Sequence, residues 1–295
     1  MSEQELLARR FQEQREHLRT VAYRMLGSAT EADDAIQEAW FRLVKTDAEE
    51  IENLGGWLTT VVSRICLDML RSRASRREDP LDQTGPGEAA YDNDPEHEAV
   101  LIDSVGRALL VVLDTLGPDE RVAFVLHDMF AVPFDEIAPI VGRSTATTKK
   151  LASRARLRAH GESSTPGSEL TRQREVVEAF LAAAREGDLA ALLAVLAPDV
   201  VRTADPAALP AGMALVVRGA QAVAKETVVL QRRSRVATVA LVDGAVGILV
   251  APRGKLLLAL RVTLAGNQIG AYEVIADPER LRSLDIAVVP ESAEV

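Results

Sequence analysis

Apolar residues recur at helical spacing through the first part of this chain. Leu18, Val21, Ala22, Met25 and Leu26 form one stripe, and Ala35, Ile36, Ala39, Trp40 and Leu43 form another. Steps of three and four are the period of a helix with one buried face. Gly27 and Ser28 separate the two, and Thr30 reads as an N-cap with Asp33 three residues on, close to a capping box. A third helix reads from Gly56 or Trp57 through Leu70. Over residues 79–95, DPLDQTGPGEAAYDNDP, the period is lost and turn-forming residues dominate, which reads as a flexible linker. Helical spacing returns over residues 98–160, punctuated by Gly117-Pro118 and by Gly142. A second polar stretch, GESSTPGSE from Gly161, marks a further boundary.

The remaining chain has a different texture. Helices read over residues 170–185 and 189–196, and then come valine-rich runs: ALVVRG, RVATVALVDGAVGILVAP and KLLLALRVTLAG. β-branched residues between turn pairs at Asp243-Gly244, Arg253-Gly254 and Gly266-Asn267 predict antiparallel hairpins. An all-α front end thus precedes an α+β tail.

Composition narrows this little: at 295 residues, two or so ordinary domains are expected. No apolar run reaches the ~20 residues of a membrane span, and the charged N-terminus has no apolar signal core. The lone Cys66 excludes an intramolecular disulfide and suits a reducing cytoplasm. Charge is more informative. A net charge of −10 opposes unaided DNA binding, which depends on phosphate neutralisation. Acid and base are segregated, however. Acid gathers in Glu31, Asp33, Asp34 and Glu38, and in Asp47, Glu49, Glu50 and Glu52; base gathers in Arg64, Arg71, Arg73, Arg76 and Arg77, and over residues 143–158. Such segregation points to two kinds of partner, with ordinary solvated helix surface as the plain alternative for any one cluster.

The sharpest local signal is PFDEIAPIVGRSTATTKKLASRARLRAH. A short helix over residues 134–141, a turn at Gly142 and a helix capped near Ser144 make a helix–turn–helix. Thr148, Leu151, Ala152 and Ala155 share an inward face of the second helix, while Lys149, Lys150, Ser153 and Arg154 share another. A helix with a small apolar face and a cationic face suits the major groove, though a bundle's basic surface helix has the same pattern. In EADDAIQEAWFRL, Asp33, Asp34, Gln37 and Glu38 line the side opposite the apolar stripe. Such a face repels phosphate and can dock on a basic protein. In GGWLTTVVSRICLDMLRSRASRR, Trp57 leads a helix bearing Arg64, Arg71 and Arg73. Aromatic and basic groups together suit opened single-stranded DNA; a core tryptophan on a helix with a basic C-terminus is the alternative.

In this order and spacing the motifs of residues 11–160 resemble the extracytoplasmic-function (ECF) sigma factors of bacterial RNA polymerase. The resemblance implies sigma region 2 at 1–78, a flexible linker at 79–97, and the helix–turn–helix region 4 at 98–161. Asp33, Asp34, Gln37 and Glu38 would contact the clamp helices of the polymerase β′ subunit, and region 4 the β flap. The loop over residues 46–55 would receive a flipped −10 base. Trp57, Thr60, Arg64, Arg71 and Arg73 would hold the −10 strand, and Lys149, Lys150, Ser153 and Arg154 would read the −35 element. Core polymerase would supply much of the electrostatics, which accounts for the acidic net charge.

After a short linker at 162–169, residues 170–290 resemble the SnoaL-like domain fused to some of these sigma factors, an α+β cone. The matching pieces are VVEAFLAAAREGDLAALLAVLAPDVV, VRGAQAV and the closing hairpins, with DPERL near the end. Enzymes of that fold place an aspartate or histidine inside the cone. Here His17, His97, His127 and His160 all precede the domain, and Asp199, Asp243 and Glu273 are scattered without motif pairing. The tail is therefore read as regulatory, not catalytic. It is expected to bias the sigma regions between compact and polymerase-ready arrangements, with a small apolar ligand in the cone as a candidate partner. No cofactor, metal or membrane partner is expected, and an anti-sigma partner stays open. The rival reading is a one-component helix–turn–helix regulator with a ligand-sensing tail, which leaves the acidic and Trp57 helices without a task. Cys66 is expected as a packed core thiol, and Phe124, Leu126, Met129 and Phe130 as region 4 core.

Overall fold

The structure, a computed structural model, describes residues 3–46, 51–76, 106–161, 165–210 and 212–290. The 79–97 linker and residues 47–50 of the loop expected to receive the −10 base lie outside these. The chain divides into two compact units, and the division runs within two helices.

The first unit begins with α1 (Glu3–Leu26), α2 (Ala29–Val44) and α3 (Leu54–Arg76). Their apolar stripes meet: Leu18, Val21, Met25, Ala35, Ala39, Leu43, Leu58, Val62 and Cys66 are all buried. Each buried Leu contributes roughly 1.5–3 kcal/mol of transfer free energy. The N-cap of α2 is Ser28, not Thr30; the Ser28 hydroxyl accepts from the Glu31 amide at 3.4 Å. Glu31 stands three residues after that cap, but its carboxylate is diverted into an ion pair with Arg73. The third helix begins at Leu54, one residue ahead of the Gly55-Gly56 pair, because the Asn53 side chain accepts from Gly56 N at 3.0 Å and caps it. It also runs beyond Leu70, to Arg76. Arg73 donates to the Leu26 carbonyl at 3.1 Å, satisfying an end carbonyl of α1.

Residues Leu113–Arg156 belong to the same unit. They include the end of α4 (Arg107–Thr115), α5 (Pro118–Phe124) with a π-helical continuation over Val125–Met129, α6 (Phe134–Val141) and most of α7 (Thr145–His160). Gly142 ends α6 in the left-handed conformation, φ 70° and ψ 37°, which a residue without Cβ adopts at least cost. Ser144 then caps α7, its hydroxyl accepting from Thr147 N at 3.2 Å. Phe124 and Leu126 are core, as expected. Met129 and Phe130 are only half-buried, and the Phe130 ring packs edge-on against His17 and under the Arg24 guanidinium.

The second unit holds Gly106–Val112 and the chain from Leu157 onward. Two helices, α8 (Gly167–Glu186) and α9 (Leu189–Val195), lead into β1 (Leu196–Ala204). After β2 (Val216–Arg218) come α10 (Ala220–Val229) and the short α11 (Gln231–Ser234). The strands β3 (Ala237–Val242), β4 (Ala245–Val250), β5 (Leu258–Ala265) and β6 (Gln268–Ile275) follow, then α12 (Pro278–Ser283) and β7 (Ile286–Ala287). The sheet order is β2-β1-β6-β5-β4-β3-β7; only the β1–β6 pair is parallel. Two-residue turns close β3–β4 and β5–β6 at Asp243-Gly244 and Gly266-Asn267. Asp243 (φ 52°) and Gly244 (φ 77°) are both left-handed, as a type I′ hairpin requires. The expected turn at Arg253-Gly254 is instead part of a longer β4–β5 connection with one 3₁₀ turn, Pro252–Gly254. Helices cover the sheet, and Val177, Phe180, Leu181, Leu192 and Val223 pack with Ile248, Val250, Leu258 and Ile269 into one core. This is the α+β cone expected of the tail.

Two hydrogen bonds inside this second unit use the first residues of α4 and the last of α7. Arg107 at the start of α4 donates to the Arg235 carbonyl at 3.4 Å. Near the end of α7, the Ala159 carbonyl accepts from Val288 N at 2.8 Å.

Candidate functional site

The exposed surface of α2 comes first. Asp34, Gln37 and Glu38 are all exposed. Asp33 departs from the expected row: it is half-buried and its carboxylate pairs with Arg19 of α1 at 3.3 Å. One turn beyond Glu38 the same stripe continues into Phe41 and Val44, each 50% exposed. A phenyl ring exposed in line with an acidic row is more than a solvated helix face requires. The sequence pattern carried that signal, because Phe41 stands three and four residues after Glu38 and Gln37.

Along α3, Trp57, Thr60, Arg64 and Arg71 fall on one stripe, spaced three, four and seven residues apart. Trp57 and Thr60 are half-buried, and the Thr60 hydroxyl donates to the Gly56 carbonyl at 3.0 Å. Arg64 lies 3.5 Å from the Pro139 carbonyl of α6. Arg71 is held more firmly. Its Nε and Nη2 donate to Asp119 Oδ1 of α5 at 3.2 and 2.8 Å, and Nη2 also reaches the Val141 carbonyl at 3.2 Å. Arg143, in the helix–turn–helix turn, donates to the other oxygen of Asp119 at 3.2 Å. Arg73 faces away from this stripe, toward Glu31 and the α1 terminus. The arginines expected to hold single-stranded DNA thus act as clasps in this arrangement, two of them against the region 4 helices.

On α7 the expected separation of faces is present. Thr148, Ala152, Ala155 and Ala159 are buried, and Lys149, Lys150, Ser153 and Arg154 are exposed together. Leu151 is half-buried. Lys149 Nζ lies 5.9 Å from the centre of the Phe134 ring, which itself stacks on His127 at 3.8 Å. Arg156 is drawn aside by Asp128, 2.7 Å from Nε.

Cys66 is fully buried in the three-helix core, and burial pushes its thiol up to about 12. It stays a neutral packing group at any physiological pH. No group of three or more candidate metal ligands occurs among the described residues, and no helix is long and apolar enough to cross a membrane.

In the tail, two of the acids that looked scattered, Asp243 and Glu273, are tied through arginines. Arg261 bridges Asp243 and Glu273, and Arg280 bridges Glu273 at 2.6 Å and Asp205 at 2.5 Å. DPERL is thereby explained: Asp277 caps α12, accepting from Glu279 N at 3.0 Å and Arg280 N at 2.9 Å, and Arg280 reaches the network. Asp205 also accepts from Ala276 N at 3.0 Å and Asp277 N at 3.1 Å. Burial alone would raise its carboxyl; these amides and Arg280 outweigh burial and hold it below the ordinary range. A further pair, buried Arg202 with Glu226, had no motif to reveal it in the sequence.

An acidic–aromatic stripe, a Trp-led basic helix and a basic-faced helix–turn–helix, followed by an α+β cone, define a promoter-recognition subunit with a fused tail. Known proteins agree. The profile of Sigma-70 region 2 matches residues 11–76, and that of Sigma-70, region 4 matches residues 106–158. The probable ECF RNA polymerase sigma factor SigI of Mycobacterium tuberculosis is 34% identical over 290 residues, spanning 96% of this chain and 98% of that one. The ECF RNA polymerase sigma factor SigJ of the same organism is 44% identical over 202 residues, 66% of this chain and 64% of its own. The crystal structure of SigJ aligns over 93% of this chain and 98% of that one, at 33% identity and a TM-score of 0.44. The chain belongs to the extracytoplasmic-function family of RNA polymerase sigma factors.

Proposed function

We propose that this sigma factor docks on the β′ clamp helices of core polymerase through Asp34, Gln37, Glu38 and Phe41, and reads the −35 element through Lys149, Lys150, Ser153 and Arg154. Asp33 supports the docking face from α1 through Arg19. Trp57, Thr60, Arg64 and Arg71 take the −10 strand once region 4 lets go of the two arginines. Arg73 supports that helix from behind. The action is binding and strand opening in the cytoplasm, with no chemistry of its own. The carrying observation is that one chain presents two separate exposed faces of opposite character: acidic with Phe41 on α2, basic on α7. A one-component regulator has no use for the first of these.

The arrangement also suggests how the protein is kept in check. Arg71 cannot hold a DNA phosphate while it holds Asp119 and the Val141 carbonyl. Engagement of core polymerase therefore exchanges these contacts for new ones. The tail biases that exchange.

Run-off transcription from the promoter of its own gene tests the assignment. Transcript is expected only with core polymerase and this protein together, and is expected to be lost with Asp34→Arg and Glu38→Arg combined. No stimulation, together with no co-elution with core polymerase, refutes it.

A further inference from the structure

The interior of the C-terminal domain holds a cavity of about 80 Å³ lined largely by apolar side chains, among them Phe180, Ile248, Leu258 and Leu260. By the measure in which one water needs about 10–15 Å³, this is room for a molecule of roughly six to eight non-hydrogen atoms. Into this apolar space projects one ion pair. Arg202 of β1, only 2% exposed, donates to the Ala214 carbonyl at 2.8 Å and pairs with Glu226 Oε1 of α10. The second carboxylate oxygen, Glu226 Oε2, is buried and has no hydrogen-bond partner among the described residues. A charged acceptor left so is expensive, on the order of 1–3 kcal/mol or more, and needs an explanation. A purely structural pair would have both oxygens engaged, or would sit in a filled core.

We propose that this cavity is a binding site for a small neutral molecule with an apolar body, about one ring in size, and a single O–H or N–H donor that Glu226 Oε2 receives. The charges of the site choose this class. Arg202 already balances Glu226, and Arg233 stands in the wall with its guanidinium on the Ala208 carbonyl. A cationic ligand would add a charge with no counterion in an apolar enclosure. An anionic ligand would bring its charge against the oxygen that lacks a partner. A neutral donor completes the carboxylate without changing the charge of the site. Tyr272, Thr227 and Ser234 supply the remaining polar wall, with the Tyr272 and Thr227 hydroxyls 3.4 Å apart. The Thr227 hydroxyl donates to the Val223 carbonyl at 2.9 Å. Burial pushes the Tyr272 hydroxyl up to about 12, so it contributes no charge either. This inference goes beyond promoter recognition and does not rest on it.

The test is titration of the full-length protein, followed calorimetrically, with four probes of one size: phenol, toluene, benzylammonium and benzoate. Phenol is expected to bind at least about tenfold more tightly than toluene, the value of one hydrogen bond to a charged acceptor, and more tightly than either ion. Replacing the pair by apolar groups, Arg202→Met with Glu226→Leu, is compatible with folding because it leaves no orphan charge. It is expected to bring phenol and toluene within about twofold of each other. As a second variant, Ile248→Phe narrows the cavity and is expected to abolish binding of both. The proposal is overturned by the absence of saturable phenol binding, by an ion binding best, or by a phenol preference that survives loss of the pair.

Discussion

If region 4 restrains Arg71 through Asp119, removing that carboxylate should make the protein a better ligand for core polymerase. The magnitude follows from the geometry. Asp119 receives Arg71 on one oxygen at 2.8 Å and Arg143 on the other at 3.2 Å. Its carboxylate is 18% exposed, while the two arginines are 45% and 55% exposed, so solvent screens both pairs considerably. An exposed pair contributes about 0.2–1 kcal/mol, so two arginines sharing one half-sheltered carboxylate come to about 0.4–2 kcal/mol. Apparent affinity scales with the fraction of molecules in the competent state. A loss of that size from the clasped state therefore tightens binding about two- to thirtyfold, as long as that state predominates. The perturbation is Asp119→Ala, read by equilibrium titration of core polymerase without DNA, at low and high salt. High salt should bring the parent toward the variant, because screening weakens the clasp. Asp119 also lies in the first turn of α5, where an acid favours the helix dipole. Glu120→Ala, in the same turn, controls for that loss and should leave affinity unraised. Equal effects of the two substitutions, or a change under twofold with Asp119→Ala, would refute the clasp.

Two further outcomes are expected. Phe41→Ala removes a half-exposed ring from the α2 docking stripe and should weaken core-polymerase binding about tenfold or more if the ring is a buried anchor in the complex, with the thermal midpoint of the free protein unchanged; an unchanged affinity, measured by the same titration, removes Phe41 from the interface. In the tail, a carboxyl held below its ordinary range gives Asp205 a stabilising contribution that is fully present above about pH 4, the unfolded value, and is lost as pH falls through the lower folded value. Asp205→Asn should therefore destabilise the second unit at neutral pH and flatten its acid unfolding profile below about pH 4, followed by circular dichroism of the full-length protein; parallel acid profiles for parent and variant would show that Asp205 carries no such linkage.

How much of this was legible in the sequence depends on the range of the interaction. Helical periodicity and turn residues are local. They located the first three helices, the helix–turn–helix with Gly142 and Ser144, and the hairpins at Asp243-Gly244 and Gly266-Asn267. Local reading failed at Arg253-Gly254, where a longer connection with a 3₁₀ turn replaces the hairpin turn, and where one local signal competed with another. Thr30 lost the cap to Ser28, and the Gly55-Gly56 pair concealed a helix start that Asn53 stabilises from outside. The arginines are the instructive misfit. As a series along α3 they read as a phosphate-binding row, yet Arg71 and Arg73 face different neighbours, and each finds a carboxylate 48 and 42 residues away. Sequence gives the charge of a side chain and the face it occupies, but a guanidinium with five donors on a long stem takes whatever carboxylate the tertiary fold brings near. The same holds for Arg202 and Glu226, 24 residues apart, which become the polar floor of a cavity only once β1 and α10 lie together. On the proposed function, a basic row that also clasps its neighbouring helices serves two states with one set of side chains. The contacts of Arg64 and Arg71 are then the ones that DNA and polymerase must replace.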